Sequence, residues 1–319
     1  MLLITGGTGF VGGHLLEKLA ASGETARCLV RRKTLARPLP PGMQPVFGDL
    51  STGQGLDEAL DGVDTVIHLA GVTKALRAAD YETGNARATE TLAKAAAGRA
   101  LRFVHVSSLA AVGPGAMVEE DAEPRPVSHY GRSKLEAERR VRALLPDAVI
   151  VRPAVVYGPR DTDVFQVLKS AAKGLSLEIA GGGQWFSAIY VRDLADALAL
   201  ASRDPRAAGR TYFLAARQPV SWREFSQAAA GIMGRKPPRV VRIPYGAAYA
   251  VGACAEAWSR LTGTPGIVSR DKIREARCPS WTCDVGRAAA ELGFEAKTTL
   301  QAGLTETLAW YKESGWLKW

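Results

Sequence analysis

Residues 5–12 read TGGTGFVG, and the apolar run Leu2-Leu3-Ile4 stands directly before them. Phe10–Ala21 follows, with Val11, Leu15, Leu16 and Leu19 on one side, the spacing of an amphipathic helix. Gly6, Gly9 and Gly12 therefore punctuate a strand-to-helix turn. Such a turn needs glycine where the chain bends tightly, where a phosphate must approach the helix N-terminus, and where helix and strand pack closely. In this context the triplet points to a dinucleotide pyrophosphate, with Phe10 and Val11 beside it. The competing interpretation is an ordinary glycine-rich turn.

Outward from this turn, strand and helix signals alternate. Strands are expected at 26–30, 63–69, 101–106 and 148–151, and helices at 81–97 and 130–145. Buried apolar strands alternating with helices imply an α/β fold, a doubly wound parallel sheet of the Rossmann type. After Pro153 the pattern changes: Gly181-Gly182-Gly183, Pro237-Pro238 and Trp185, Trp222, Trp258 and Trp281 appear. Helices are expected at 193–202, 222–233 and 302–311. Residues 1–155 are thus assigned to a dinucleotide-binding domain and 156–319 mostly to a smaller substrate-binding domain. Segments near 187–214 return to the first domain, with Ile189-Tyr190 and residues 211–214 as further strands of its sheet.

With 319 residues, 47% of them hydrophobic, the chain can bury a large core. Its net charge of +9 comes from scattered Lys and Arg without a nucleic-acid-binding motif, so no nucleic-acid partner is expected. A solvated basic surface or attraction of an acidic ligand accounts for the charge. Cys28, Cys254, Cys278 and Cys283 form no CxxC pair and lack zinc spacing, so no metal is expected. Reduced thiols and the absence of a leader ahead of the first strand suggest the cytoplasm. The longest apolar stretch, 243–258, is interrupted by Pro244, two glycines and Glu256. It is too short and broken to span a bilayer, but suits covering an apolar pocket or peripheral membrane contact.

The strand at 26–30 ends in Val30-Arg31-Arg32, where an acidic residue would bond the ribose of NAD(H). A guanidinium there suits a 2′-phosphate, which favours NADP(H) over NAD(H). Tyr130 and Lys134, four apart near a helix start, share a face. A neighbouring ammonium favours the phenolate of a tyrosine, as base catalysis requires. Ser107 and Ser108 leave the strand at 101–106 and offer a hydroxyl to orient a substrate oxygen.

The combined segments resemble the extended short-chain dehydrogenase/reductases, grouped as NAD-dependent epimerases and dehydratases. They are TGGTGFVG, GDL at 48–50, VDTVIHLAG at 63–71, YETGNARATETL around Asn85, VHVSSLAAVG at 104–113, YGRSK at 130–134, VRPAVVYGP at 151–159 and VRDLADAL at 191–198. The ending DVGRAAAELGF and GLTETLAWY matches as well, so the likeness covers essentially the whole chain. It implies that Gly6, Gly9 and Gly12 cradle the pyrophosphate, Asp49 bonds the adenine amine with Leu50 beside it, and Ala70, Gly71 and Pro153 line the cofactor. It further implies Ser108, rather than Ser107, as the catalytic serine, Tyr130 as proton donor or acceptor, and Lys134 as holder of the ribose. His14, His68, His105 and His129 receive no catalytic role. A homodimer through two helices of the larger domain is implied too.

Two enzyme classes fit the small-molecule substrate. A nucleotide-sugar epimerase or dehydratase is weakened by the missing acidic residue after 26–30 and by Phe186-Ser187 where an Arg-Asp pair is common. A reductase of apolar ketones or secondary alcohols, similar to the 3β-hydroxysteroid dehydrogenase and dihydroflavonol reductase branch, is favoured by the apolar stretch at 243–263. Thr73, Phe165, Trp185 and Phe186, with Trp258, are candidate walls of its pocket, although each aromatic suits plain core packing equally. A third class, an NADP(H)-binding sensor or assembly protein without turnover, often lacks the tyrosine or lysine present here.

Overall fold

Leu3 and Ile4 have no exposed surface, because the strand they form (β1, Leu2–Thr5) lies inside a seven-stranded parallel sheet. In the computed structural model, which describes residues 1–31 and 38–319, six strands join it. They are β2 (Ala26–Val30), β3 (Met43–Phe47), β4 (Thr65–His68), β5 (Arg102–Val106), β6 (Val149–Pro153) and β7 (Thr211–Leu214). The spatial order is β3-β2-β1-β4-β5-β6-β7, and every neighbouring pair is parallel. The order reverses between β1 and β4, which opens a crevice at the strands' C-terminal ends. The β4 and β6 sequences are buried at every position, as strands covered on both faces must be.

One face is covered by helix α1 (Phe10–Ala21), whose Leu15, Leu16 and Leu19 meet Ile4 and Ile67. Helix α3 (Val191–Ala201) packs beside it through Leu194 and Leu198. The opposite face is covered by helix Ala88–Ala96 and by α2 (His129–Leu144), where Leu92, Val141 and Phe103 meet Leu3 and Val66. The sheet is therefore doubly wound, as expected.

Three details differ from the sequence expectation. The strand β3 was not anticipated because Pro45 interrupts it; β3 is the sheet edge, where a missing N–H costs little. Ile189 and Tyr190 do not extend the main sheet. Their strand, Ala188–Tyr190, pairs with Val155–Tyr157 in a separate two-stranded sheet, because β7 already occupies the free edge of β6. The single helix expected at 81–97 is divided into Ala78–Tyr81, a wider π turn at Glu82–Arg87, and Ala88–Ala96.

The C-terminal half builds a second apolar core from Tyr157, Leu168, Phe186, Phe225, Leu304 and Tyr311. A four-stranded sheet accompanies it, in the order Val220–Ser221, Trp185–Phe186, Ser280–Cys283 and Gly115–Val118. Gly115–Val118 comes from the first half, so the two halves interleave.

The turn after β1 leaves no room for side chains. A Cβ on Gly12 would stand 2.2 Å from the Gly6 carbonyl oxygen, a backbone atom that cannot step aside. Gly12→Ala is therefore expected to destabilise the protein by about 1–3 kcal/mol, seen as a lower urea midpoint. Gly13→Ala, whose methyl would meet only the Arg160 guanidinium at 3.5 Å, is the control and should be neutral or stabilising.

Candidate active site

The dinucleotide cradle is assembled where β1 and β4 end. Gly6 has φ +73°, and a Cβ there would lie 2.6 Å from the Ala70 nitrogen. Thr5 Oγ1 accepts the Ala70 N–H at 3.2 Å and bonds His68 Nδ1 at 2.6 Å, while His68 Nε2 bonds Thr89 Oγ1 at 2.8 Å. Burial pushes His68 down to about 3, so it stays neutral and structural. Gly9 caps α1 without a side chain, and the first turn of α1 carries no acidic residue. Phe10 and Val11, half-buried, begin this helix. A side-chain-free cradle at the first amides of α1 fits a pyrophosphate.

Arg31 is exposed at the end of β2; Arg32 lies outside the described residues. Asp49 Oδ1 accepts the Ser51 N–H at 2.7 Å and the Ser51 hydroxyl at 2.6 Å. These bonds hold its carboxyl below the usual range, and Arg31 adds to the effect. Leu50 is half-buried beside it, and Pro153 is buried at the end of β6. Asn85, on the π turn, clips the loop after β4 through both sides of its amide. It accepts the Val72 N–H at 2.7 Å and donates to the Val72 carbonyl at 3.0 Å, with a further bond to Ser133 Oγ at 2.9 Å.

Tyr130 and Lys134 lie in the first turns of α2, which Ser128 caps by accepting the Gly131 N–H at 2.9 Å. The Lys134 ammonium is buried, donates to the Val106 carbonyl at 2.7 Å and lies 3.8 Å from where a Gly71 Cβ would be. Burial without a bonded carboxylate lowers it to about 8, against the opposing pull of Glu138. Burial pushes the Tyr130 phenol up. The Lys272 ammonium and the nearby Ser108 hydroxyl pull it down, whereas Glu275 and Asp163 push it up. The two serines differ sharply. Ser107 is buried and donates to Glu138, which also holds Arg152 in a two-pronged pair at 3.0 and 2.7 Å. Ser108 is half-buried, accepts the Ala110 N–H at 3.2 Å and faces Tyr130.

The cation acting most strongly on the phenol is therefore Lys272, which the sequence reading did not single out. Its Nζ lies 5.6 Å from the Tyr130 ring centroid. It belongs to α5, the helix Arg270–Arg277 (α4, Tyr245–Thr262, precedes it), and bonds Glu275 at 2.9 Å. Glu275 outweighs the effect of burial and keeps Lys272 charged. The adjacent Asp271 accepts the His129 N–H at 3.0 and 2.8 Å and the Tyr130 N–H at 3.5 Å, a second cap on α2. Lys74 ties the loop after β4 to Asp163 and to Thr162 Oγ1, and Tyr81 packs edge-on against Tyr130 at 6.2 Å. His105 is buried near Lys134 with neither ring nitrogen bonded among the described residues; burial and Lys134 keep it neutral.

The proposed pocket walls differ in their surroundings. Phe186 is buried and stacks on Trp222 at 3.9 Å, and Phe165 packs against Tyr311 at 5.0 Å and Trp316 at 5.4 Å. Trp185 and Trp258 are exposed, and Thr73 is exposed in the loop after β4.

A model of the NAD dependent epimerase/dehydratase family matches residues 2–215. Among curated proteins, the chain is 35% identical to a ceramide reductase of Caulobacter vibrioides over 99% of this chain and 96% of the relative. It is 31% identical to the 4-hydroxy-2-methyl-3-oxo-4-farnesyl-3,4-dihydroquinoline-1-oxide ketoreductase of Stigmatella aurantiaca, over 94% and 93% of the two chains. Among solved structures, gox2253 superposes with a TM-score of 0.82 at 26% identity, covering 100% of this chain and 99% of the other. MoeE5 in complex with UDP-glucose and NAD gives 0.78 at 26% identity, covering 98% and 99%.

Lys134 links site and stability. Its value of about 8 in the folded protein lies below the ordinary lysine value of about 10.4 in the unfolded chain. The unfolded chain therefore binds more protons between these values, and stability rises with pH across that window. Below about pH 8 the full cost of burying the ammonium is present, on the order of 3 kcal/mol. In urea melts of the cofactor-free protein, wild type should gain stability relative to Lys134→Met between pH 8 and 10.5. A pH-independent difference would contradict the assignment.

Proposed function

The chain belongs to the NAD-dependent epimerase/dehydratase family, and within it we propose a reductase that acts on an apolar ketone or the corresponding secondary alcohol. The observation that carries this reading is the Tyr130 phenol with the Lys272 ammonium 5.6 Å from its ring centroid and the Ser108 hydroxyl nearby, one helical turn before the buried Lys134. Gly6, Gly9, Phe10, Val11 and Gly12 hold the pyrophosphate, Asp49 and Leu50 the adenine, and Ala70, Gly71 and Pro153 the inner part of the cofactor. When bound, the nicotinamide supplies the hydride to the carbonyl carbon or takes it from the alcohol. Ser108 Oγ holds the substrate oxygen, and Tyr130 Oη gives that oxygen a proton in reduction and removes it in oxidation. Lys134 holds the ribose and adds positive charge near the phenol. The exposed Arg31, with Arg32 next in sequence, favours NADP(H) over NAD(H).

An apolar substrate is supported by the two relatives whose names are ceramide reductase and a farnesyl-bearing ketoreductase. The C-terminal half, which contributes Lys272 and Asp271, is the proposed substrate-binding part. A groove of about 430 Å³ along α2 and the Ala78–Arg87 turns, lined by Glu82, Arg139 and Arg140 among others, is the proposed homodimer face. The second reading, a nucleotide-sugar epimerase, draws on the likeness to MoeE5 with UDP-glucose. It would release an epimer without net change of cofactor.

Tyr130→Phe should lower NADPH-dependent ketone reduction by about 10²–10⁴-fold while NADPH binding persists. Undiminished turnover would exclude Tyr130 as the proton donor. Arg31→Asp should weaken NADPH by about tenfold or more and spare NADH. Equal affinity of the parent protein for both cofactors removes the NADP(H) assignment.

A further inference from the structure

Helix α4 is inverted for a surface helix. Its inward side holds only the small buried residues Ala248, Gly252 and Ser259 and partly buried polar groups: Glu256 accepts the Arg270 N–H at 2.7 Å and pairs with the guanidinium at 2.8 Å. Tyr249 lies against Arg270 and Arg274, with guanidinium carbons 6.0 and 5.9 Å from its ring centroid. Ser259 accepts the Gly266 N–H at 3.2 Å. Its outward side carries Ala247, Val251, Cys254, Trp258 and Leu261, spaced alternately four and three apart, all exposed. Val251 is 61% exposed, Trp258 67% and Leu261 82%, values that mark a stripe without a partner among the described residues. The preceding strands repeat the inversion. In Leu175–Ile179, Leu175 and Leu177 are exposed while Ser176 and Glu178 are buried. This strand pairs with Arg239–Ile243, which runs through Pro244 directly into α4.

Charge identifies what the stripe meets. Residues 235–277 contain nine Lys and Arg and three Asp and Glu, a net +6 of the chain's +9. The three carboxylates are already engaged, Glu256 with Arg270, Asp271 with the α2 N-terminus and Arg274, and Glu275 with Lys272. A second copy docking on this stripe would bring two such positive segments together, whereas an anionic lipid surface would neutralise them. No described helix is long and apolar enough to cross a membrane, which leaves α4 lying in the interface.

We propose that α4 is an interfacial helix that seats this protein on an anionic lipid bilayer, with Val251, Trp258 and Leu261 among the acyl chains. The neighbouring helix α5 carries Lys272 against Tyr130, so the bilayer surface is one helix away from the phenol. An apolar substrate is collected from that surface. The seating stands on the surface alone; only the collection of substrate rests on the reductase reading.

The test is flotation of the full chain with phosphatidylcholine vesicles, with and without phosphatidylglycerol. Wild type should float with the anionic vesicles, and lose binding on pure phosphatidylcholine and in about 0.5 M salt. Trp258→Glu with Leu261→Glu should reduce binding by about tenfold or more, and leave the melting temperature unchanged. If that pair lowers the melting temperature, Val251→Asp, two turns earlier, carries the same test. Tyr130→Phe should float as wild type does. Vesicle binding without turnover of any ketone upholds the seating and removes the reductase reading. Failure of wild type to bind anionic vesicles, or undiminished binding by the variants, overturns the proposal. So does a dimer in vesicle-free solution that Trp258→Glu with Leu261→Glu splits into monomers, because a second copy would then cover the stripe.

Discussion

Even a methyl group has no room between the turn that follows β1 and the turn that follows β4. At Gly6 an added carbon would lie 2.6 Å from the Ala70 nitrogen, so backbone meets backbone across the crevice. Thr5 and His68 fix the same junction from below, and both His68 nitrogens are bonded. The Lys134 ammonium closes it from α2, bonded to Val106 and set beside Gly71. The cradle proposed for the pyrophosphate and the cation proposed for the ribose therefore share one anchor. Their spacing is set by packed backbone rather than by side chains that can turn.

A second constraint joins the two halves of the chain. The N-terminus of α2 is capped locally by Ser128 and from 142 residues away by Asp271. A carboxylate there satisfies amides that the helix itself cannot and complements the helix dipole, a contribution of about 0.3–1 kcal/mol. The larger consequence is positional. The cap fixes α5 against the residue that carries the phenol, and the next side chain along, Lys272, then reaches over the Tyr130 ring.

Much of this was legible in the sequence because the signals are local. The glycine spacing, the apolar strands and the Tyr130–Lys134 interval each describe one turn or one element, and the doubly wound sheet follows from their alternation. Edge strand β3 was hidden by Pro45, whose cost depends on a neighbour that the local sequence does not name. Ile189 and Tyr190 have strand character but were misplaced, since the occupant of the β6 edge is a tertiary fact. Phe165 and Phe186 were candidates for a pocket wall because an aromatic side chain reads the same in a core as in a pocket. Packing on Tyr311 and Trp222 is decided by distant helices. Asp271 and Lys272 lie in a charged helix whose sequence resembles any solvated surface, and only its docking gives them a task.

The two lysines of the candidate site differ in how each is compensated. Lys134 is buried against a carbonyl, without a bonded carboxylate, and its charge is therefore easily lost, at about pH 8. Lys272 is bonded to Glu275 and stays charged well beyond that. Glu275 exacts a counter-effect, since its own charge and that of Asp163 oppose the phenolate. The phenol is thus acted on from the turn after β5, the loop before helix Val164–Ala172 and α5. A site built this way acquires this balance of charge only when the C-terminal half is docked, and that ties the proposed proton transfer to the part of the molecule proposed to hold the substrate.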